Sequence, residues 1–130
     1  MNIFDAIKSI SKGIAVLIDP DKFKSKDALE GFLKKIKLAQ PNFIFIGGSS
    51  VARSDFDECV EMVKKTLSIP IVLFPGASHH LSNSADALLF LSLISGRNPD
   101  FLIGHHVEAI DELEQMDIET IPTSYLLIDG

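Results

Sequence analysis

Four short stretches hold the residues whose types and spacing could do chemistry: Asp19-Pro20-Asp21-Lys22, Gly47-Gly48-Ser49-Ser50, Pro75-Gly76-Ala77-Ser78 and Ser95-Gly96-Arg97-Asn98. Each follows an apolar run. Glycine lets backbone N–H groups approach a ligand closely, and successive N–H groups with hydroxyls form an anion nest. One glycine-serine loop is a weak signal. Several together, with a carboxylate at Asp19 and a guanidinium at Arg97, suit a phosphate or diphosphate held with a divalent ion. Mg²⁺ takes a carboxylate, a hydroxyl, waters and phosphate oxygens. Asp19 offers the first of these, and Ser49 or Ser50 the second. The plainer reading of Asp19-Pro20 is a turn, because proline cannot extend a strand ladder.

The elements that must position these residues follow from hydropathy. The N-terminus reads as a short amphipathic helix with Ile3, Phe4, Ile7 and Ile10 on one face. Residues 14–18 form an apolar strand, and 26–38 have helical spacing with Leu29, Phe32, Leu33 and Ile36 apolar among lysines. Phe43–Ile46 is a second strand. Ser54 is placed to cap a helix whose core face is Phe56, Val60, Val63 and Leu67. Residues 71–74 and 87–91 are the third and fourth strands. Asn98-Pro99 then opens a helix carrying Phe101, Leu102, Val107, Ile110 and Leu113, and Tyr125–Ile128 is the fifth strand. Strands apolar on both faces belong in parallel sheets covered by helices, and the alternation gives βαβ units. The expected class is α/β, with residues 1–130 as a single domain. Two closures fit: an open flavodoxin-like sheet, or the start of a (β/α)8 barrel. In either, ligands sit at the C-terminal ends of the strands.

Composition excludes several function classes. The 130 residues are 46% hydrophobic, which is ordinary for a globular protein. The net charge of −6, with no basic cluster, argues against nucleic acid as a partner. The single cysteine, Cys59, reads as a small core residue and fits a reduced, cytoplasmic location. No run reaches the roughly 18–20 apolar residues of a membrane span, and the N-terminus lacks a signal-peptide core. His79-His80 and His105-His106 lack metal-ligand spacing, although His79 and His80 fall in a rim loop within reach of a diphosphate. Lys24, Lys26, Lys34, Lys35 and Lys37 read as a solvated helix face.

The stretches "LIDPDK", "FIFIGGSS", "VLFPGAS", "ADALLFLSLISGRNPDFLIGHHVEA" and "IPTSYLLIDG" resemble, in order and over nearly the whole chain, the geranylgeranylglyceryl phosphate synthases. The bacterial branch, with its related heptaprenylglyceryl phosphate synthases, is the most similar, and "LFLSLISGRNP" is the most specific run. The resemblance implies a (β/α)8 barrel, truncated here to about its first five strands and their helices. It implies a Mg²⁺-dependent prenyltransferase of lipid biosynthesis. The 3-hydroxyl of sn-glycerol 1-phosphate would form an ether with a polyprenyl diphosphate and release diphosphate. Carried over by position, Asp19 is the metal-binding carboxylate and Ser49 its hydroxyl partner. The rim loops supply Gly48, Ser50, Gly76 and Ser78 as expected substrate contacts, with Arg97 added on position alone. Some members carry a lysine two residues before the aspartate, where this chain has Leu17.

The family's catalytic glutamate follows the sixth strand, and its glycerol phosphate loops follow the seventh and eighth. Both are expected beyond residue 130, so no catalytic residue is assigned. By itself the chain is expected to be inactive and to aggregate or pair its bare strand edges with a second copy. Homo-oligomers and transient contact with a membrane surface are expected of the whole protein. A different class remains open: a non-catalytic phosphate-binding or receiver-like module with an open sheet. A receiver wants an acidic cluster, whereas Asp19 and Asp21 follow one strand alone.

Overall fold

The structure is a computed structural model, and it describes residues 2–48 and 53–128. Five parallel strands run in the order of the chain: β1 (Ala15–Ile18), β2 (Phe43–Ile46), β3 (Ile71–Leu73), β4 (Ala87–Leu93) and β5 (Glu119–Tyr125). Helix α1 (Ile3–Ser9) precedes them; α2 (Lys26–Ala39), α3 (Arg53–Thr66) and α4 (Gly104–Leu113) fill crossovers. This order decides between the two closures. A flavodoxin-like sheet reverses direction at a switch point, in the order 2-1-3-4-5. Here every crossover steps the same way, as in a barrel. The sheet is the first five strands of a (β/α)8 barrel.

The period of two along each strand separates two apolar layers. Ile44, Ile46, Ile71, Leu73 and Leu88 face α2, α3 and α4, meeting Leu33, Phe56, Val60, Val63 and Leu113. Phe43, Val72, Ala87, Leu89 and Ile121 face the other way, into the barrel interior. Phe45, Phe74 and Leu91 extend that interior layer towards the strand C-termini. On β1 the interior-facing positions are Ala15 and Leu17, and Leu17 is 57% exposed, because β1 is an edge of the described sheet.

Helix α1 closes the N-terminal end of the interior. Ile3, Ala6, Ile7 and Ile10 pack on the interior layer, while Phe4 turns out under the Lys8 ammonium, 4.5 Å from its ring centre. The first turn is held from both ends of the chain. Asn2 accepts from the Asp5 N–H at 2.8 Å, and the Glu119 carboxylate accepts from the N–H groups of Ile3 at 2.6 Å and Phe4 at 3.1 Å. Orphan N–H groups and the positive end of the helix dipole both favour a carboxylate there. Glu119→Ala should therefore destabilise the fold by about 1–2 kcal/mol, with Glu119→Gln costing less. Urea midpoints of the two variants check this.

Three sequence expectations need correction. The fifth strand is Glu119–Tyr125, not 125–128; its seven residues match β4 pair by pair, and Leu126, Leu127 and Ile128 are exposed. Its polar alternation and Pro122 conceal it in the sequence. Asn98 does cap, accepting from the Asp100 N–H at 3.0 Å, but it caps a 3-10 turn, Pro99–Phe101. α4 starts separately at Gly104 and buries Ala109 and Leu113, leaving Val107 and Ile110 exposed at 64% and 42%. Ser54 lies inside the first turn of α3 rather than before it.

Candidate functional site

All the glycine- and serine-bearing loops leave the same end of the sheet, because parallel strands put every C-terminus on one rim. At β1, Asp19 is half-buried, and its Oδ1 accepts from the Asp21 N–H at 3.0 Å, capping the 3-10 turn Pro20–Lys22. The strand stops here because proline occupies the first position of that turn. The turn expected of Asp19-Pro20 and a rim carboxylate are thus the same feature.

At β2, the Gly47 N–H donates to the Ile18 carbonyl at 3.1 Å, and the Phe74 N–H donates to the Ile46 carbonyl at 2.8 Å. These bonds draw three strand ends together. A Cβ on Gly47 would lie 1.9 Å from the Phe74 carbonyl oxygen, so only glycine fits. Gly48 is half-buried beside it. Ser49 and Ser50, the expected hydroxyl donors, lie outside the described residues.

At β3, the loop 75–78 folds back on itself. The Gly76 N–H donates to His80 Nδ1 at 3.1 Å, and the His80 N–H donates to the Ala77 carbonyl at 3.2 Å. Gly76 thus directs its N–H inward. The Ser78 hydroxyl donates to Glu108 of α4 at 2.7 Å. His80 is fully buried and stacks on Phe56, with ring centres 4.9 Å apart. His79 is exposed, with its ring 4.5 Å from that of His80. At β4, Arg97 is exposed in the loop before the 3-10 turn and makes no ion pair among the described residues. The structure therefore brings Asp19, Gly48, Gly76, Ser78 and Arg97 to one rim. Among the described residues no group of three or more His, Cys, Asp or Glu side chains could by itself hold a metal ion.

An apolar space for a prenyl tail follows from the family resemblance, but its lining was not legible in the sequence. β3 ends at Leu73, whereas β4 runs on to Leu93, so the two strands part towards the rim. Helix α4 and the turn at 99–101 span the gap. His106 takes up the Leu91 carbonyl through Nε2 and stacks on Phe90, ring centres 3.8 Å apart. Between them lies a space of about 180 Å³, lined by Phe74, Leu89, Leu91, Phe101, Ala109 and Tyr125, among others. Tyr125 closes edge-on against Phe74 at 5.4 Å. Gly76 and Ser78 stand where it meets the rim loop. The strand-length mismatch that opens it involves pairing, which is not visible in either strand alone.

Two further contacts fix the helices behind the rim. Arg53, at the start of α3, makes a two-pronged ion pair with Glu112 of α4, which raises the arginine pKa. The Ser82 hydroxyl donates to Asp57 of α3. Also on α3, burial pushes the Cys59 thiol up to about 11, with the negative charge of Asp19 adding to the effect. A thiol raised in the folded state keeps its contribution to stability below the unfolded pKa and loses it as pH rises through the folded value. Stability should therefore fall between about pH 9 and 11 by an amount that Cys59→Ala abolishes. Urea midpoints against pH measure the difference.

The sequence matches the PcrB family over residues 8–130. It is 48% identical over 119 residues to the geranylgeranylglyceryl phosphate synthase of Chitinophaga pinensis, covering 92% of this chain and 47% of the relative. To the enzyme of that name from Methanosphaera stadtmanae it is 38% identical over 113 residues, 87% of this chain and 46% of the relative. The crystal structure of (S)-3-O-geranylgeranylglyceryl phosphate synthase from Thermoplasma acidophilum, in complex with its substrate sn-glycerol-1-phosphate, superposes with a TM-score of 0.89 at 30% identity. That match takes in 100% of this chain and 54% of the other. The chain thus spans about half the length of the curated relatives it matches. With the family model matched over residues 8–130, and the ordered motifs and sequential barrel winding in agreement with it, the chain belongs to the PcrB family.

Proposed function

We propose that this chain is the diphosphate- and metal-binding half of a prenyltransferase. The whole protein would join sn-glycerol 1-phosphate to a polyprenyl diphosphate, of geranylgeranyl type, in lipid biosynthesis. The observation that carries this reading is the apolar cavity meeting the rim at Gly76 and Ser78. A substrate with a charged head and a long hydrocarbon tail needs such a junction: a polar rim for the head, and an apolar space for the tail.

The donor set fits Mg²⁺. Asp19 is a hard anionic oxygen on the rim, and this ion commonly uses one or two carboxylates together with phosphate oxygens and waters. Asp19, with Ser49, would hold it. Bound there, Mg²⁺ would supply charge neutralisation for the diphosphate. The chain's own groups bind and orient. Gly48, Ser50, Ser78 and Arg97 would hold the diphosphate, and Gly76 shapes their loop. Phe74, Leu91 and Tyr125 would hold the tail and keep water from the allylic carbon. The base that accepts the glycerol proton is expected in the half of the relatives to which this chain has no counterpart. The exposed apolar residues of α4, Val107 and Ile110, suit self-association of the whole protein.

The test compares ligands that share a head and differ in tail. With Mg²⁺ present, geranylgeranyl diphosphate should bind roughly a hundredfold or more tighter than inorganic diphosphate, since each buried methylene contributes about 0.8 kcal/mol. Leu91→Trp, which fills the cavity, should erase most of that difference without weakening inorganic diphosphate. Equal affinity for the two ligands would defeat the reading. The open-sheet, receiver-like alternative loses its basis in the strand order.

A further inference from the structure

The rim loop after β3 is ordered by a side chain that sits behind it. His80 is fully buried. Its Nδ1 accepts the Gly76 N–H at 3.1 Å, closing a five-residue ring of chain across Gly76–His80. The ring plane lies within 16° of parallel to Phe56, at 4.9 Å. Two residues on, Ser82 is 3% exposed, donates to Asp57, and accepts the Ser84 N–H at 3.2 Å. Phe56 and Asp57 are neighbours on α3, so one helical turn grips the loop at both places. A nitrogen that accepts a hydrogen bond carries no proton, so this contact calls for an unprotonated Nδ1.

We propose that His80 is a positioning residue: through Nδ1 it turns the Gly76 N–H inward and fixes the conformation in which the 75–78 loop presents Ser78 to the rim. This deepens the functional reading above and rests on it for the loop's ligand, though not for the loop's shape. The assignment requires an acceptor at the Nδ1 position and a flat ring or amide against Phe56. Asparagine places its Oδ1 near that position; phenylalanine keeps the stacking and removes the acceptor.

Two measurements on the intact chain separate the possibilities. The first needs no substitution. In ¹⁵N-labelled protein the His80 Nδ1 resonance should be that of an unprotonated acceptor, coupled to the Gly76 amide proton; a protonated Nδ1 overturns the proposal. The second is amide exchange at Gly76. His80→Phe should speed exchange about tenfold, the effect of losing one buried hydrogen bond, while His80→Asn stays near wild type. Gly76 equally protected in His80→Phe overturns the proposal, as does equal loss in both variants. Binding of inorganic diphosphate with Mg²⁺, measured on the same proteins, keeps the two readings apart. Wild type that fails to bind defeats the loop's ligand assignment, whereas Gly76 exchange alone decides the role of His80.

Discussion

Asp19→Asn will weaken Mg²⁺-dependent diphosphate binding by roughly a hundredfold, the scale on which a single preorganised electrostatic contact at a charged centre counts. The substitution is informative because it separates the cap that the side chain makes in the structure from the metal-binding role proposed for it. Oδ1 of Asp19 caps the turn Pro20–Lys22 by accepting the Asp21 N–H at 3.0 Å. Asparagine caps as well as aspartate, so the turn and the end of β1 remain in place. What disappears is the negative charge, and with it the anionic oxygen that Mg²⁺ prefers over an amide. Calorimetric titration with diphosphate, with and without Mg²⁺, measures the loss, and thermal melting checks the fold. Unchanged affinity would remove Asp19 from the site. A melting temperature lowered by many degrees would mean that the carboxylate charge is needed for folding instead.

Gly47→Ala is expected to be strongly disruptive, costing about 3 kcal/mol or more. The new Cβ would meet the Phe74 carbonyl oxygen at 1.9 Å and its carbon at 2.9 Å. Both are backbone atoms, so no rotamer change can relieve the clash. β2 and β3 must separate at their C-terminal ends, and the bonds from Gly47 to Ile18 and from Phe74 to Ile46 lengthen with them. Against a total stability of about 5–15 kcal/mol, that is a large share. It would also shift the rim loop that Phe74 leads into, so diphosphate binding should fall with stability. Gly31→Ala is the matched control. Gly31 lies mid-helix in α2, and nothing beyond its own stretch of helix comes within 4 Å of where the new methyl would stand, so alanine there should stabilise by up to about 1 kcal/mol. A Gly47→Ala urea midpoint close to wild type would show that the strand ends yield more easily than their hydrogen bonding implies.

Much of this molecule was legible in the residues alone. The helical spacing of Leu29, Leu33 and Ile36, and of Phe56, Val60 and Val63, specifies the faces that α2 and α3 bury, because a helix repeats every 3.6 residues whatever it packs against. Phe43–Ile46 is read correctly as a buried strand for a comparable reason: it is apolar on both faces, and both faces are covered. The rim loops are legible too, since parallel strands deliver glycine- and serine-rich ends to one side once the alternation is recognised. The family motifs agree with all of this.

Pairing was not legible, and pairing decided the rest. β5 takes its place at Glu119–Tyr125 because β4 offers seven residues to match, although the apolar run 125–128 looks more strand-like by itself. The choice between a wound barrel and an open sheet lies in the direction of successive crossovers, which hydropathy does not encode. The cavity exists because β4 outruns β3, and His80 gains its role because Phe56 and Gly76 meet it from elements distant in sequence or folded back upon it. Local periodicity depends on each residue's own neighbours, so the sequence determined the elements and the chemistry on their ends. Strand register, the gap between strands and the orientation of a buried ring depend on which distant surfaces come together, so only the tertiary structure decided them.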